Sequence, residues 1–385
     1  MVRHASLFNQ LLGVFPRQEF ERLVRDIGTE RHSKGFSSWT HFVSLLFCQL
    51  AQASSLRDIA NGLATCLGKL SHLGLREPPK RSTLSYANNH RSWMLFEALF
   101  YQLSSRLQVE PQIRRKLKLP GKLYSLDATV IPLCLAVFDW ARYRSAKGAI
   151  KLHAVLDHDG YLPRFANITE ACVHDLTPAY HFYFPPGSVV VVDRAYWSAN
   201  LFSQWQRDRG FFVIRQKEGP RFTLLGHRPA EGNVLADQDV EMGNDYTRDR
   251  YPYVLRRIVY RDPESGDIYR FITNLHDAPA QVIADVYKER WQIEIFFKAL
   301  KQNLKIKTFI GTTPNAVLSQ IWTALITLLL VRYLKLRSQR GWCLSNLVAL
   351  LRWNLFTYRD LWGWLDDPFE VPPGGPPPEQ LSLGF

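Results

Sequence analysis

Tyr287, Arg290, Glu294 and Lys301 bring a phenol, a guanidinium, a carboxylate and an ammonium into one short stretch of chain. Wound as one helix at about 100° per residue, they fall near ~0°, ~300°, ~340° and ~320°, inside an arc of roughly 60°. Beside that arc lie Val286, Ile293, Phe296, Phe297, Leu300 and Leu304, an apolar face fit to pack on a sheet. The polar stripe then runs along the lip of the packed surface. A carboxylate flanked there by Arg290 and Lys301, near a phenol, suits a site handling phosphate and metal. A solvated face with the pairs Arg290–Glu294 and Glu294–Lys298, each worth roughly 0.2–0.5 kcal/mol, would show the same pattern. Glu289, near ~200° on this wheel, is expected to point along the core edge and make at most a surface pair.

The chain of 385 residues is 46% hydrophobic, enough for two or three domains with ample core. Its net charge is +13 with a pI near 9.5. Residues 1–120 hold 17 Lys/Arg against 8 Asp/Glu, so +9 of the +13 lies in that first third. Such a basic segment fits a polyanion, nucleic acid before membrane, though basic charge can also serve solubility alone. Cys48, Cys66, Cys134, Cys172 and Cys343 are scattered without a Cys-x2-Cys pair. That argues against structural zinc and for a reducing compartment, with the thiols as small buried groups. No signal peptide opens the chain. The most lipid-like run, Ala316 to Val331, contains Ser319, Gln320, Thr323 and Thr327. It falls short of the ~20 residues needed to span a bilayer and reads as a buried core helix. The expectation is a soluble cytoplasmic protein with no membrane partner.

Residues 1–120 read as helical. Ser38 to Ala53 is strongly apolar, Ser55 can cap a second helix to about Leu67, and after Pro78-Pro79 Ser82 can cap a helix from Thr83 to Leu103. The polar start of that last helix presents Arg81, Asn89 and Arg91. Arg and Asn can pair bidentately with guanine and adenine edges, so these helices suggest a helix-turn-helix; an ordinary polar helix start is the alternative.

From Lys122 the rhythm becomes that of strands: one ending at Asp127, Lys151 to Asp157, a turn at His158-Asp159-Gly160, then Leu162 to Thr169. A helix begins near His174-Asp175, and the run Val189 to Val192 ends at Asp193. Three strands in hairpin succession, a helix and a buried strand give the order of an RNase H-like mixed sheet. Asp127 and Asp193 would then be neighbours. After a helix at Ala199 to Arg207 come Phe211 to Arg215, Arg221 to Leu225, Tyr253 to Tyr260 and Ile268 to Thr273, all strand-like. The expected class, with the insertion taken from the family resemblance given below, is α/β: an RNase H-like mixed-sheet catalytic core interrupted by a β-rich insertion, with an N-terminal α-helical DNA-binding domain. The expected division is 1–120 helical, 121–205 first part of the core, 206–278 insertion, 279–340 second part of the core, and 341–385 a C-terminal helix with a Pro/Gly-rich, disordered tail at Val371 to Gln380. Asp157 and Asp159 read as turn residues and His174-Asp175 as a helix start. No Gly-rich phosphate loop and no His-Glu-x2-His motif occurs.

The spacing Tyr-x2-Arg-x3-Glu-x6-Lys resembles the signature of bacterial insertion-sequence DDE transposases of the cut-and-paste type. Leu123-Tyr124-Ser125-Leu126-Asp127-Ala128-Thr129-Val130 resembles their first-Asp strand, and Ser188 to Tyr196, through Asp193, their second. Ala195 stands where the family more often has Gly. Arg3 to Phe8 and Lys80 to Phe100 also resemble the N-terminal region of one branch, and the likeness runs to about Arg337.

The resemblance implies that Asp127, Asp193 and Glu294 are catalytic ligands of two Mg²⁺ (or Mn²⁺) ions, which oxygen-only ligation favours over zinc. It implies that Arg290 and Lys301 contact DNA phosphates and Tyr287 positions the strand, while Arg81, Asn89 and Arg91 would contact DNA from the N-terminal region. The implied activity is binding of terminal inverted repeats in double-stranded DNA, strand cleavage, and transfer to target DNA by a homodimer on DNA. A cytoplasmic, nucleoid-associated protein follows. A non-catalytic DNA-binding descendant and an RNase H-like nuclease without strand transfer are the rivals. In well-known members a Trp in the insertion holds a flipped base; no Trp lies between Trp205 and Trp291, so Tyr260, Tyr269 or Phe271 would take its place if hairpins form.

Overall fold

The computed structural model describes residues 5–31, 33, 35–65, 70–107, 116–134, 138, 140, 142–144 and 147–369. Cys66 and the Pro/Gly-rich run Val371 to Gln380 lie outside the described residues.

The N-terminal helices are α1 (Leu7–Leu12), α2 (Arg17–Ile27), α3 (Ser38–Ala51), α4 (Leu56–Ala64), α5 (Arg81–His90) and α6 (Met94–Arg106). Ser55 caps α4 by accepting from Asp58 N at 3.1 Å, while the Asp58 carboxylate accepts from Ser54 N at 3.0 Å. The single helix expected from Thr83 to Leu103 is two. Lys80, not Ser82, stands at the first N-cap, and Arg91 turns extended at the end of α5. A residue far away in sequence explains the break. Asn315 donates to Asn88 O (2.8 Å) and Arg91 O (2.6 Å) and accepts from Trp93 N (3.2 Å), replacing the backbone partners the helix gives up.

The strands are β1 (Leu123–Leu133), β2 (Arg142–Arg144), β3 (Lys147–Asp157), β4 (Leu162–Glu170), β5 (Val189–Val192), β6 (Phe211–Arg215), β7 (Phe222–Arg228), β8 (Val234–Met242), β9 (Leu255–Arg261) and β10 (Ile268–Thr273). They form one mixed sheet in the order β2-β3-β1-β5-β6-β10-β9-β8-β7, with β4 also on β3. β1, β3 and β4 are antiparallel; β5 runs parallel to both β1 and β6. The four valines of β5 are all buried, as a central strand covered on both faces requires. β6 falls within 206–278 yet continues the parallel part of the sheet, and β10 joins it antiparallel. β1 also runs past Asp127, so that residue sits mid-strand. β8 carries too many acids to read as a strand. It forms one because Asp237 meets Arg256 at 2.6 Å and Asp239 meets Arg228 at 2.8 Å across the sheet.

The later helices are α7 (Leu176–Ala179), α8 (Ala199–Arg207), α9 (Asp245–Arg250), α10 (Ala280–Glu289), α11 (Trp291–Asn303), α12 (Pro314–Arg337), α13 (Leu344–Asn354) and α14 (Leu361–Asp366). α12 has 24 residues, long and apolar enough to cross a bilayer, so the length argument from Ala316 to Val331 fails. Its apolar window is 89% buried inside the protein. The side chains covering it come from both ends of the chain: Trp322 packs on Phe100 at 5.4 Å and stacks with Trp93 at 6.5 Å. Residues 7–107 thus share one apolar core with 293–365. Of the four described cysteines only Cys48 is buried, against the expectation for all five.

Candidate active site

β1 and β5 are paired in parallel through Leu126 and Val192, and the next residue of each strand direction is an aspartate, Asp127 and Asp193. Both are half-buried. Asp193 closes β5 and caps a short 3-10 turn, its Oδ1 accepting from Ala195 N at 2.7 Å. Ala195 is not among the residues with positive φ, so nothing in this turn calls for glycine. Asp127 Oδ1 accepts from Ala128 N at 2.8 Å. Burial pushes the Asp127 carboxyl up to about 7; the Ala128 N–H opposes this, Asp193 and Glu294 add to it, and Arg290 opposes it.

The helix expected from Tyr287 through Lys301 is broken at Arg290. α10 ends at Glu289, and Arg290 N donates to Tyr287 O and Ile293 N to Arg290 O, both three residues back. Glu294 is thereby in the first turn of α11. Arg290 Nη2 donates to Glu294 Oε1 at 2.7 Å, and Arg290 Nη1 lies 3.8 Å from Asp127 Oδ2. One guanidinium therefore serves two carboxylates from different elements. It also lies 5.7 Å over the Tyr287 ring, which packs on Phe271 at 4.8 Å. Burial raises the Tyr287 phenol, Arg290 and Arg215 oppose, and Asp193 adds to the rise. Lys301 Nζ donates to Thr129 Oγ1 (2.6 Å) and Val130 O (2.8 Å), tying α11 to β1 just beyond Asp127.

The structure thus brings Asp127, Asp193, Glu294, Tyr287 and Arg290 together, with Lys301 beside them. Arg81, Asn89 and Arg91 do not join them. Arg81 is exposed on α5. Asn89 Oδ1 accepts from Thr313 Oγ1 at 3.0 Å. Arg91 donates to Ser33 Oγ at 3.0 Å and to Phe36 O, and lies 4.9 Å over the Phe36 ring. Two of these three expected base or phosphate contacts are therefore already engaged within the protein.

The chain's middle, residues 119–330, matches the family model "Transposase DDE domain", which is more than half of its length. The chain belongs to the DDE transposase family. Residues 3–76 of this transposase match a domain of unknown function, DUF4372. It is 28% identical over 340 residues to a probable transposase for insertion sequence element IS5377 of Geobacillus stearothermophilus, covering 87% of this chain and 86% of the relative. A putative transposase y4zB of Sinorhizobium fredii is 32% identical over 260 residues, covering 66% and 71%. Among solved structures, a piggyBac transposase synaptic complex with hairpin DNA aligns at a TM-score of 0.45 and 9% identity, over 97% of this chain and 85% of that one.

The oxygen donors of this transposase suit a hard divalent cation, and the Asp127 carboxyl, raised mainly by burial with Asp193 and Glu294 adding to it, is one whose charged form a cation would favour. Among the described residues no three His, Cys, Asp or Glu side chains converge as a finished metal-binding group. Arg290, within 4 Å of both Asp127 and Glu294, occupies part of that role.

Sequence reasoning missed a second polar cluster behind the carboxylates. Glu289 is not a surface residue: its Oε2 accepts from Tyr161 OH at 3.2 Å and lies 3.6 Å from His158 Nδ1. The neighbouring His158, 3.6 Å away, holds the carboxyl below the usual range, with burial opposing and the Tyr161 hydroxyl assisting. The break at Arg290 and the folding of the Asp157–Tyr161 turn under α10 create this arrangement, and neither shows on a single helical wheel. Asp157 makes an ion pair with Lys122 at 2.7 Å. Asp175 pairs with Lys151 at 2.9 Å, while His174 Nδ1 accepts from Leu176 N at the start of α7.

Proposed function

We propose that this transposase binds the terminal inverted repeats of its own element, cuts DNA strands there and joins them to target DNA, acting as a homodimer on DNA. The observation that carries the reading is the meeting of Asp127 and Asp193 on adjacent parallel strands beneath the α11 turn that bears Glu294. The strand order β4-β3-β1-β5-β6, three antiparallel strands followed by two parallel ones, supports an RNase H-like core; β7 to β10 form the insertion between Asp193 and Glu294. Asp127, Asp193 and Glu294 would hold two Mg²⁺ or Mn²⁺ ions. When bound, such ions activate the entering oxygen and stabilise the leaving one in an in-line displacement at phosphorus. Arg290 and Lys301, beside these carboxylates, would contact backbone phosphates near the cleavage point, and Tyr287 would position the strand. The basic residues 1–120, Arg81 among them, supply electrostatic grip on the element ends.

The test is cleavage of an end-labelled duplex carrying the inverted repeat. Asp127→Ala, Asp193→Ala and Glu294→Ala should each lose activity by at least on the order of 10³-fold while keeping metal-free binding to the repeat. Glu294→Gln should be inactive with Mg²⁺ and with Mn²⁺. Wild-type-like cleavage by any of these variants would remove that residue from the site.

A further inference from the structure

We propose that Glu289, acting through His158 and Ser125, is a positioning residue that fixes Glu294 over Asp127 and so sets the affinity of the site for divalent ions. This rests on the metal-dependent reading above and adds residues to it.

The connection can be followed atom by atom. Ser125 lies on β1 two residues before Asp127 and, by strand alternation, on the same face. Its Oγ is 2.5 Å from His158 Nε2. His158 Nδ1 faces Glu289 Oε2 at 3.6 Å, and Glu289 also accepts from Tyr161 OH. Ser125 and His158 are almost fully buried, at 0% and 1% exposure, which excludes direct contact with DNA. Glu289 is the last residue of α10, next to the break from which α11 and Glu294 start. The turn is itself held in place. Tyr161 has φ +55°, and its carbonyl accepts from the half-buried Arg332 of α12, whose guanidinium lies 5.3 Å over the Phe296 ring of α11.

The α10–α11 segment is consequently tied to β1 on both sides of the carboxylates. Before Glu294, Glu289 reaches Ser125 through His158; after it, Lys301 reaches Thr129 and Val130. Asp127 lies between those two attachments on the strand, as Glu294 does on the helix. Apolar contacts between a helix and a sheet tolerate sliding, whereas the Ser125–His158 and Tyr161–Glu289 hydrogen bonds, joined by the 3.6 Å contact of His158 with the Glu289 carboxylate, favour one register. A buried polar chain also carries a desolvation cost that apolar residues would avoid, so simple stability does not account for it.

The experiment compares full-length wild type with Glu289→Ala, Glu289→Gln and Ser125→Ala. Free Mn²⁺ is titrated by electron paramagnetic resonance without DNA, and cleavage is measured against Mn²⁺ concentration. Residues that orient metal ligands typically contribute 10–100-fold in affinity, so Glu289→Ala should weaken Mn²⁺ binding at least about tenfold. Half-maximal cleavage should shift to correspondingly higher Mn²⁺, with metal-free binding to the element ends unchanged. Glu289→Gln keeps an oxygen for Tyr161 and should lose less; Ser125→Ala should fall on the same side. Thermal melting identifies a variant that has lost its fold, and the remaining two then carry the test. Variants that are folded and bind Mn²⁺ like wild type overturn this inference alone. A wild type that binds no Mn²⁺ overturns the metal reading and this inference together.

Discussion

Asp127 and Asp193, far apart in sequence, stand one residue beyond the paired rung Leu126–Val192 of two parallel strands. Neighbouring strands are ~4.8 Å apart, so the backbone alone holds two carboxylates within the reach of common ligands. Arg290 offsets part of this negative charge, its guanidinium linking Glu294 to Asp127.

Arg290→Ala should leave the half-buried Asp127 and its partners without their nearest cation. Strand cleavage is expected to fall by roughly 10²–10³-fold, the scale for loss of one preorganised charged group in an active site. Arg290→Lys should recover little, since an ammonium lacks the planar fork that reaches two carboxylates at once. Single-turnover cleavage at saturating DNA checks both; full activity of the lysine variant would refute the shared-guanidinium role.

Lys301 is bonded to Thr129 and Val130 in the protein. If that attachment orients α11, Thr129→Val should reproduce part of the defect of Lys301→Met, and the double variant should be less than additive. Purely phosphate-binding Lys301 would make Thr129→Val silent. A double-mutant cycle on cleavage rate separates these outcomes.

His41 is buried against Asn88, its Nε2 2.6 Å from Asn88 Oδ1, and burial pushes its pKa down from 6.5 to about 4. The unfolded chain takes up this proton more readily, so the folded state is favoured fully above about pH 6.5 and loses stability as pH falls toward 4. The loss should be on the order of 3 kcal/mol, at ~1.4 kcal/mol per tenfold proton activity. Urea unfolding from pH 7 to pH 4 should show a shallower decline for His41→Gln than for wild type. Equal slopes would count against a neutral buried His41.

Tyr260, Tyr269 and Phe271 are not equivalent candidates for stacking on a base. Tyr260 and Phe271 are buried, at 8% and 2% exposure. Tyr269 is half-buried, stacked on Phe271 at 6.1 Å, with the Arg215 guanidinium 5.0 Å from its ring. On element-end substrates that form hairpins, Tyr269→Leu should lower hairpin yield, consistent with about 1–3 kcal/mol per stacked base. Phe271→Leu should instead lower the melting temperature through its contact with Tyr287. Unchanged hairpin yield in Tyr269→Leu would dispose of the stacking role.

The family signature and most of the strands are legible in the residues alone. Runs such as Val189 to Val192, ending in a lone Asp, are legible because burial on both faces demands uninterrupted apolar residues and the strand end is where a polar group can emerge. The spacing of Tyr287, Arg290, Glu294 and Lys301 survived a helix break because Arg290 and Glu294 remain four residues apart around it. The remaining features depend on contacts between segments far apart in the chain. Asn315 divides α5 from α6, and Arg256 and Arg228 turn an acidic segment into β8, because each supplies partners that no local pattern contains. Residues 1–120 read as a basic helical unit, yet their apolar faces close on α12, far along the chain. Glu289 looked like a surface residue for the same reason: a wheel records direction around one axis. It cannot record that the axis breaks at Arg290, or that a buried histidine from another turn waits beneath.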